Sequence, residues 1–204
     1  MIALTHTTVI IIITVIVSVM AWKIPPLLNR LIFSAPAIKR GQIDRFITHG
    51  FVHADGWHLF FNMFTLYFFG RVIEQLYISK FGYLGFLGFY LLAIVVSSIA
   101  DYFKYQNNSQ FLSLGASGGV SAVLFVFVLL FPWELIYFFG ILPIPAIVFA
   151  ILYVAYSIYA NKKGSGHINH LAHLTGAGFG VLATIIIEPK VILHFLQALL
   201  HPSF

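Results

Sequence analysis

The sequence predicts an all-α protein with several membrane-spanning helices, and its composition is the first observation behind this prediction. Of its 204 residues, 60% are hydrophobic and only 8% are charged, whereas about a quarter of the residues in soluble domains are charged. A helical crossing needs about 20 apolar residues, so this length accommodates about six spans with short loops. The apolar runs are continuous instead of alternating, which excludes a transmembrane β-barrel. We therefore expect a polytopic six-transmembrane-helix bundle that forms a single integral membrane domain over residues 1–204.

Six apolar runs, separated by polar or proline-containing segments, define the predicted spans. They cover approximately residues 7–24, 57–78, 81–100, 115–131, 144–160 and 168–187. The first run imitates a signal peptide. However, no positive charge precedes it and Ser18-Val19-Met20 is a poor cleavage site, which favours a retained span.

The connecting segments are predicted from their polar residues and prolines. Residues 23–56 contain three prolines and five Lys or Arg among apolar side chains, a pattern typical of a long loop at the membrane interface. Residues 101–114 are a polar interruption and predict the loop between the third and fourth spans. The aromatic residues 133–142 favour an interfacial position, and residues 161–166 predict a turn before the last span.

Composition also limits the chemistry that the chain can perform. It contains no cysteine, which excludes disulfides, a thiol nucleophile and a cysteine-based metal site. The net charge of +5 is not accompanied by a basic cluster or a nucleic-acid-binding motif. The positive charge therefore indicates contact with anionic lipid headgroups of the bilayer and no nucleic-acid partner.

The distribution of Lys and Arg gives one indication of orientation. The loops after the first, third and fifth spans hold eight of these residues, and the other side holds three. By the positive-inside rule, the first, third and fifth loops would face the cytoplasm.

Polar residues inside the apolar spans are costly in a bilayer and each one is a candidate for function. His58 and Asn62 lie at i and i+4 in the second span, Ser117 begins the fourth among glycines, and His173 lies in the sixth above Gly176 and Gly180. All four occupy the first turns of even-numbered spans. Because these spans enter from the same side, we expect Ser117, His173, His58 and Asn62 at a similar depth, with the glycines allowing the fourth and sixth helices to approach closely.

A serine in contact with a histidine is a nucleophile with its general base, the minimum needed for acyl transfer. The Asn62 amide, the His58 imidazole and the Ser117 backbone N–H are candidate donors to a tetrahedral oxyanion. No acidic third member is expected, because Asp101 falls in a predicted loop and Glu74 lies about three turns beyond Asn62. The interpretation is therefore a Ser/His dyad.

Each of these residues also has a purely structural interpretation. A serine among glycines in a membrane helix commonly serves packing, and an intramembrane histidine can make a structural hydrogen bond. His49, His53 and Glu74 are expected to tie the first loop to the second span. A transporter or metal permease that uses His58, His167, His170 and His173 is an alternative, but no carboxylate accompanies them. The coincidence of four groups at one depth favours an enzyme.

These motifs resemble those of the rhomboid intramembrane serine proteases. Gly115-Ala116-Ser117-Gly118 is similar to the GxSG motif of that family. Ala172-His173 followed by Gly176 and Gly180 is similar to AHxxGxxxG, and His58-Leu59-Phe60-Phe61-Asn62 is similar to HxxxN. The resemblance covers about residues 45–182, with the motifs in the family's order.

The resemblance implies a rhomboid-like bundle in which Ser117 is the nucleophile, His173 the base, and His58 and Asn62 part of the oxyanion hole. It implies single-span transmembrane proteins as substrates and neither a metal nor a cofactor. A catalytically silent relative that binds transmembrane clients is the alternative from another class. The six-helix bacterial members have both termini in the cytoplasm, so the resemblance implies a bacterial inner membrane with the site opening to the extracytoplasmic side, opposite to the charge count.

Two positions depart from the family pattern. The common Trp-Arg pair of the first loop is Asp44-Arg45 here. The position four residues after the nucleophile, where an aromatic residue often stacks on the catalytic histidine, is Ser121. We therefore expect the His173 imidazole to be held in a different way.

Overall fold

The computed structural model describes residues 4–138, 140–163 and 168–202, and most of them are helical. A 3-10 turn (His49–Phe51) and a π-helical turn (Leu66–Gly70) accompany the α-helices. The α-helices are α1 (His6–Lys23), α2 (Pro25–Leu31), α3 (Ala35–Lys39), α4 (Arg45–Thr48), α5 (Gly56–Thr65), α6 (Arg71–Phe81), α7 (Gly85–Tyr105), α8 (Ser117–Leu130), α9 (Ala146–Lys163), α10 (His170–Ile187) and α11 (Lys190–Leu200). The strands are β1 (Phe33–Ser34), β2 (Leu112–Ser113), β3 (Leu135–Phe138) and β4 (Leu142–Pro145).

Three helices of the described chain, α1, α7 and α10, are long and apolar enough to cross a membrane. Helix α8 is also apolar but has only 14 residues, which corresponds to a length of about 21 Å. The π-helical turn joins helices α5 and α6 into one continuous helical segment over residues 56–81. The count of six spans stays a prediction.

The third predicted span ended too early. Residues 101–114 were expected to form a loop, but α7 continues through Asp101 to Tyr105. The Asp101 carboxylate is buried and accepts a hydrogen bond from the Asn169 side chain. This partner offsets the cost of burying the carboxylate, so the helix extends past the polar residue.

The segment expected to be a long first loop contains short helices. Its prolines lie in the first turns of α2 and α3 instead of only breaking helices, because proline suits the first turn, where the N–H has no helical partner. The strand β1 pairs antiparallel with β2. Farther along, β3 and β4 form an antiparallel hairpin where an interfacial aromatic segment was expected. The all-α prediction missed both short pairings.

Arg45 holds the first loop together even though the neighbouring position is Asp44. The buried guanidinium donates from Nη1 to the Ile32 carbonyl and from Nε to Gln42 Oε1 at 2.7 Å. The exposed carboxylate of Asp44 pairs with Arg30 at 2.7 Å instead. This arginine side chain therefore joins two parts of the loop.

The structure assigns Glu74 to a different partner from the one expected. Its carboxylate accepts from the backbone N–H of His6 at 2.7 Å, and from the Thr7 N–H at 3.0 Å and hydroxyl at 2.7 Å. These donors are at the start of α1, where N–H groups have no helical acceptor. Glu74 therefore joins α6 to the first helix and not to the first loop.

Helices α8 and α10 pack backbone to backbone at the centre of the molecule. A Cβ atom on Gly176 would lie 2.1 Å from the carbonyl oxygen of Gly118, and one on Gly180 would lie 2.4 Å from that of Ala122. Eleven of the fourteen residues of α8 are buried. This contact agrees with the prediction that small residues bring these two helices together.

Candidate active site

Ser117 is the first residue of α8, and it is half-buried. The first helical hydrogen bond at this end runs from the Val120 N–H to the Ala116 carbonyl. The N–H groups of Ser117 and Gly118 precede this bond and so have no acceptor within the helix. The nucleophile candidate thus lies at a helix N-terminus whose N–H groups are suited to an anionic ligand.

The turn before Ser117 has a backbone conformation that favours glycine. Gly115 has a φ of +117°, and a Cβ there would also lie 2.6 Å from His58 Cε1. The Gly115 N–H donates to the His49 carbonyl at 2.9 Å, and the Ala116 N–H donates to His53 Nε2 at 3.2 Å. The first loop therefore fixes the segment that carries the candidate nucleophile Ser117.

The hydrogen bonds of His53 identify its tautomer. Ser18 donates its hydroxyl proton to the Phe51 carbonyl at 3.1 Å, so its oxygen accepts from His53 Nδ1 at 3.0 Å. His53 Nε2 accepts from Ala116 and therefore carries no proton. Burial, with a smaller contribution from His58, lowers the pKa of His53 to about 3. His53 is thus neutral and joins α1 to residues 115–116, the turn before the candidate nucleophile, which we call the nucleophile turn.

His53 was expected to tie the first loop to the second span, which describes only part of its contacts. Its ring does lie against that of His58 on α5, with centroids 4.9 Å apart. Its hydrogen bonds, however, go to Ser18 and to Ala116. The spacing of His53 and His58 was the only sequence signal for this role, and it does not reveal partners in other helices.

His58 and Asn62 lie one turn apart on α5, as their spacing predicted. The His58 ring lies against Gly115, next to the nucleophile turn. Asn62 is buried, and its Nδ2 donates to the His58 carbonyl at 2.9 Å. An amide nitrogen carries two N–H groups, so this bond uses one of them.

His173 lies in the first turn of α10, whose start is fixed by Asn169. The Asn169 Oδ1 accepts from the Ala172 N–H at 3.1 Å. Its Nδ2 donates to Asp101 and, at 3.0 Å, to Ser113 Oγ. Asp101 therefore supports the helix that carries His173 without touching the imidazole, which the sequence did not predict.

The His173 ring stacks on Tyr153 of α9. The ring centroids are 5.9 Å apart and the planes are inclined by 19°. The Tyr153 hydroxyl and Ser121 Oγ share a hydrogen bond of 2.7 Å. A second ring, that of His170, lies 5.8 Å away at 75°. The aromatic partner that is absent at position 121 is thus supplied by another helix.

The structure brings Ser117 and His173 to the same level of the bundle. Gly118, which follows Ser117, contacts α10 at Gly176, one turn beyond His173. In the described part of the chain, the two side chains do not share a hydrogen bond, which the dyad interpretation had expected. Catalytic hydrogen bonds often tighten only when substrate binds, so this geometry is compatible with a nucleophile and its base.

The alternative of a metal permease would need several metal-binding side chains close together. Within residues 4–138, 140–163 and 168–202, no group of three or more His, Asp or Glu side chains could hold a metal ion. His58 and His173 lie on the same side of the bundle as His170, whereas His167 falls outside the described residues.

Comparison with known proteins agrees with the motifs. The Rhomboid domain family matches residues 40–190, well over half of the chain. A mitochondrial RHOMBOID-like protein 12 of Arabidopsis thaliana is 30% identical over 168 residues, which is 77% of this chain and 50% of that protein. A chloroplastic Rhomboid-like protein 11 of the same plant is 30% identical over 146 residues, 68% of this chain and 50% of that protein.

A Rhomboid-like protease 1 of Toxoplasma gondii is 34% identical over 82 residues, 40% of this chain and 26% of that protein. The chain spans about half the length of the two Arabidopsis relatives. The family match covers the segments that carry Ser117 and His173. The chain is therefore an integral membrane protein of the rhomboid family.

Proposed function

We propose that this chain is an intramembrane serine endopeptidase that hydrolyses peptide bonds in or near the transmembrane segments of single-span proteins. The observation that carries the proposal is the backbone contact between α8 and α10. This contact places Ser117, at the start of one helix, level with His173, in the first turn of the other.

The reaction would follow the chemistry of a Ser/His dyad. The Ser117 oxygen attacks the scissile carbonyl carbon while His173 takes the hydroxyl proton. The oxyanion accepts hydrogen bonds from the Ser117 N–H, from Asn62 and from the His58 ring. The C–N bond then breaks as His173 gives its proton to the leaving amine. Water, deprotonated by His173, attacks the acyl carbon, and the bond to the Ser117 oxygen breaks as His173 returns that proton to it.

The length of α8 supports cleavage close to a membrane boundary. At about 21 Å, the helix is shorter than the roughly 30 Å hydrocarbon core of a bilayer. A helix of this length that reached one membrane face would start below the other, which supports a position of Ser117 beneath the surface. Peptide bonds of a substrate helix must be exposed there, so the substrate class we propose is a helix that unwinds near its end.

We also propose six spans in a single domain over residues 1–204, with both termini on one side and the candidate site opening to the other. In a bacterial inner membrane, this arrangement places the site on the extracytoplasmic side. The buried Arg45 and the pair of Arg30 with Asp44 support the proposal, because these loop charges serve the folded loop. The proposal of a bacterial membrane rests on the six-span pattern, whereas two relatives are named for the mitochondrion and the chloroplast.

The test is labelling of purified protein in detergent with a fluorophosphonate probe, together with cleavage of a single-span reporter. We expect the unaltered chain to be labelled and to cleave, and Ser117→Ala and His173→Ala to lose both activities by at least about 100-fold. Ser79→Ala and His201→Asn, at exposed positions away from the site, are the matched controls and should retain them.

The outcome that overturns the protease proposal is equally clear. If the unaltered chain is neither labelled nor able to cleave the reporter, the alternative of a relative that binds transmembrane clients replaces it. That alternative predicts that a single-span protein copurifies equally with the unaltered chain and with the Ser117→Ala variant.

A further inference from the structure

We propose that Tyr153 of α9, anchored by Ser121 of α8, is the residue that positions the His173 imidazole. The inference rests on the proposed function, because His173 is the general base of that reaction. Tyr153 is a positioning residue and takes no part in bond making.

The rings of Tyr153 and His173 are nearly parallel. Their planes are inclined by only 19° with centroids 5.9 Å apart, which is an offset stack. A flat partner of this kind restricts the tilt of the imidazole. Rotation of the ring about its last side-chain bond would break the stack, so Tyr153 favours one orientation of the base.

The position of Tyr153 is fixed at its backbone and at its hydroxyl. Its hydroxyl is 2.7 Å from Ser121 Oγ, and its backbone belongs to α9. The rings of Phe125 and Phe149 lie 5.6 Å and 5.9 Å from its ring. A tyrosine with a fixed hydroxyl and packed neighbours has little freedom in its two side-chain torsions.

Ser121 explains why the stacking ring comes from α9. It lies one turn after Ser117, it is buried, and its side chain is too short to reach His173 as an aromatic residue would. The small side chain leaves room for the Tyr153 ring and supplies its hydrogen-bond partner. Ser121 and Tyr153 together therefore replace an aromatic residue at position 121 as the support of the His173 ring.

The stack makes the orientation of the His173 imidazole depend on the position of α9. Its buried residues are all small, namely Ala146, Ala150, Ser157 and Ala160. Small residues allow close approach to neighbouring helices, and the opposite face carries exposed apolar side chains such as Ile151 and Leu152. Displacement of α9 would carry Tyr153 away and release the imidazole.

The first experiment measures cleavage of the single-span reporter by the full chain in detergent. We expect Tyr153→Leu to lower kcat roughly ten-fold with KM unchanged, because the loss of one ring stack affects only base orientation. Tyr159→Leu is the matched control, since Tyr159 is an exposed tyrosine on the same helix, and it should leave kcat unchanged.

A double-mutant cycle isolates the hydrogen bond between Ser121 and Tyr153. Tyr153→Phe keeps the ring and Ser121→Ala keeps the space, so each should lower kcat about three-fold. The double variant should lose no more than either single variant, because both remove the same bond. Losses that multiply would overturn the anchoring role of Ser121.

The second readout does not depend on activity. In a proton–carbon NMR spectrum of His-labelled protein, the His173 signal, assigned with His173→Asn, should carry a ring-current shift from Tyr153. The shift should persist in Tyr153→Phe and disappear in Tyr153→Leu. An unchanged His173 signal in Tyr153→Leu overturns the inference, whereas an inactive unaltered chain with the shift present overturns the proposed function instead.

Discussion

At the scale of single residues, burial selects the protonation state of the histidines beneath the nucleophile turn. Burial lowers the pKa of His49 to about 4, and burial with a contribution from His58 lowers that of His53 to about 3. The hydrogen bonds of His53 require the same neutral form, with the proton on Nδ1. A proton on Nε2 would leave the Ala116 N–H without its acceptor.

This protonation state predicts a loss of stability in acid. An unfolded histidine has a pKa of about 6.5, so the unfolded chain binds more protons below that pH than the folded chain. The contribution of the two neutral histidines to the free energy of unfolding is complete above pH 6.5. It is lost as the pH falls from about 6.5 toward 4, by up to about 1.4 kcal/mol per pH unit for each histidine. We expect the thermal midpoint of the detergent-solubilised protein to fall across that range.

The variant His53→Gln tests whether protonation of His53 causes this loss of stability. Glutamine keeps an acceptor for Ala116 and a donor for Ser18 but does not titrate, so the midpoint should fall less steeply with acid. His201→Gln, at an exposed position, should behave as the unaltered chain. Identical slopes for His53→Gln and the unaltered chain would show that His53 does not cause the acid sensitivity.

Some residue-level features were accessible from sequence and others were not. His58 and Asn62 share a helix face because of their i, i+4 spacing, and the order of the predicted spans led us to expect Ser117 and His173 at one level of the bundle. The stack of Tyr153 on His173 joins two different helices, and no periodicity within either helix encodes it. Only the serine at position 121 indicated that the imidazole needs another support.

At the scale of elements, the apolar runs located the helices but not all of their ends. Helix α7 continues past Asp101 because its carboxylate binds Asn169, a partner 68 positions away. Two short helices of the first loop, α2 and α3, have prolines in their first turns, which a composition argument treats as breakers. Such long-range partners and turn-level preferences lie outside what a hydropathy pattern contains.

The contact between α8 and α10 gives a prediction at this scale. In Gly180→Ala, the new Cβ would lie 2.4 Å from the Ala122 carbonyl oxygen, so the helices must separate. We expect a loss of about 1–3 kcal/mol in unfolding free energy, as in other overpacked cores, and slower fluorophosphonate labelling of Ser117. The measurements are the thermal midpoint and the labelling rate.

Gly178→Ala is a matched control on the same helix. Among the described residues, no atom beyond its chain neighbours and the nearby backbone of its own helix lies within 4 Å of a Cβ added at Gly178. Alanine is favoured over glycine within a helix by roughly 0.5–1 kcal/mol, so this variant should be as stable as the unaltered chain or more so. Equal losses in the two variants would mean that close backbone contact is not what holds α8 and α10 together.

At the scale of the whole molecule, two sequence arguments disagree on orientation. The excess of Lys and Arg after the odd-numbered spans places those loops in the cytoplasm, whereas the family resemblance places them outside. Five of these eight charges lie in residues 23–56, and Arg45 there is buried and hydrogen-bonded. Charges used in folding are a weaker guide to orientation than charges free in solvent.

The absence of cysteine from the sequence makes the topology directly measurable, because a single introduced cysteine is the only thiol. Exposed positions are available in four connections, at Ile43, Leu84, Gln110 and Ile141. With six spans and the proposed orientation, an impermeant maleimide should label Ile43→Cys and Gln110→Cys in intact cells, and the other two only after permeabilisation. The reverse pattern would show that the positive charges determine orientation. If only α1, α7 and α10 crossed the membrane, positions 43 and 84 would react together, and the six-span proposal would fail.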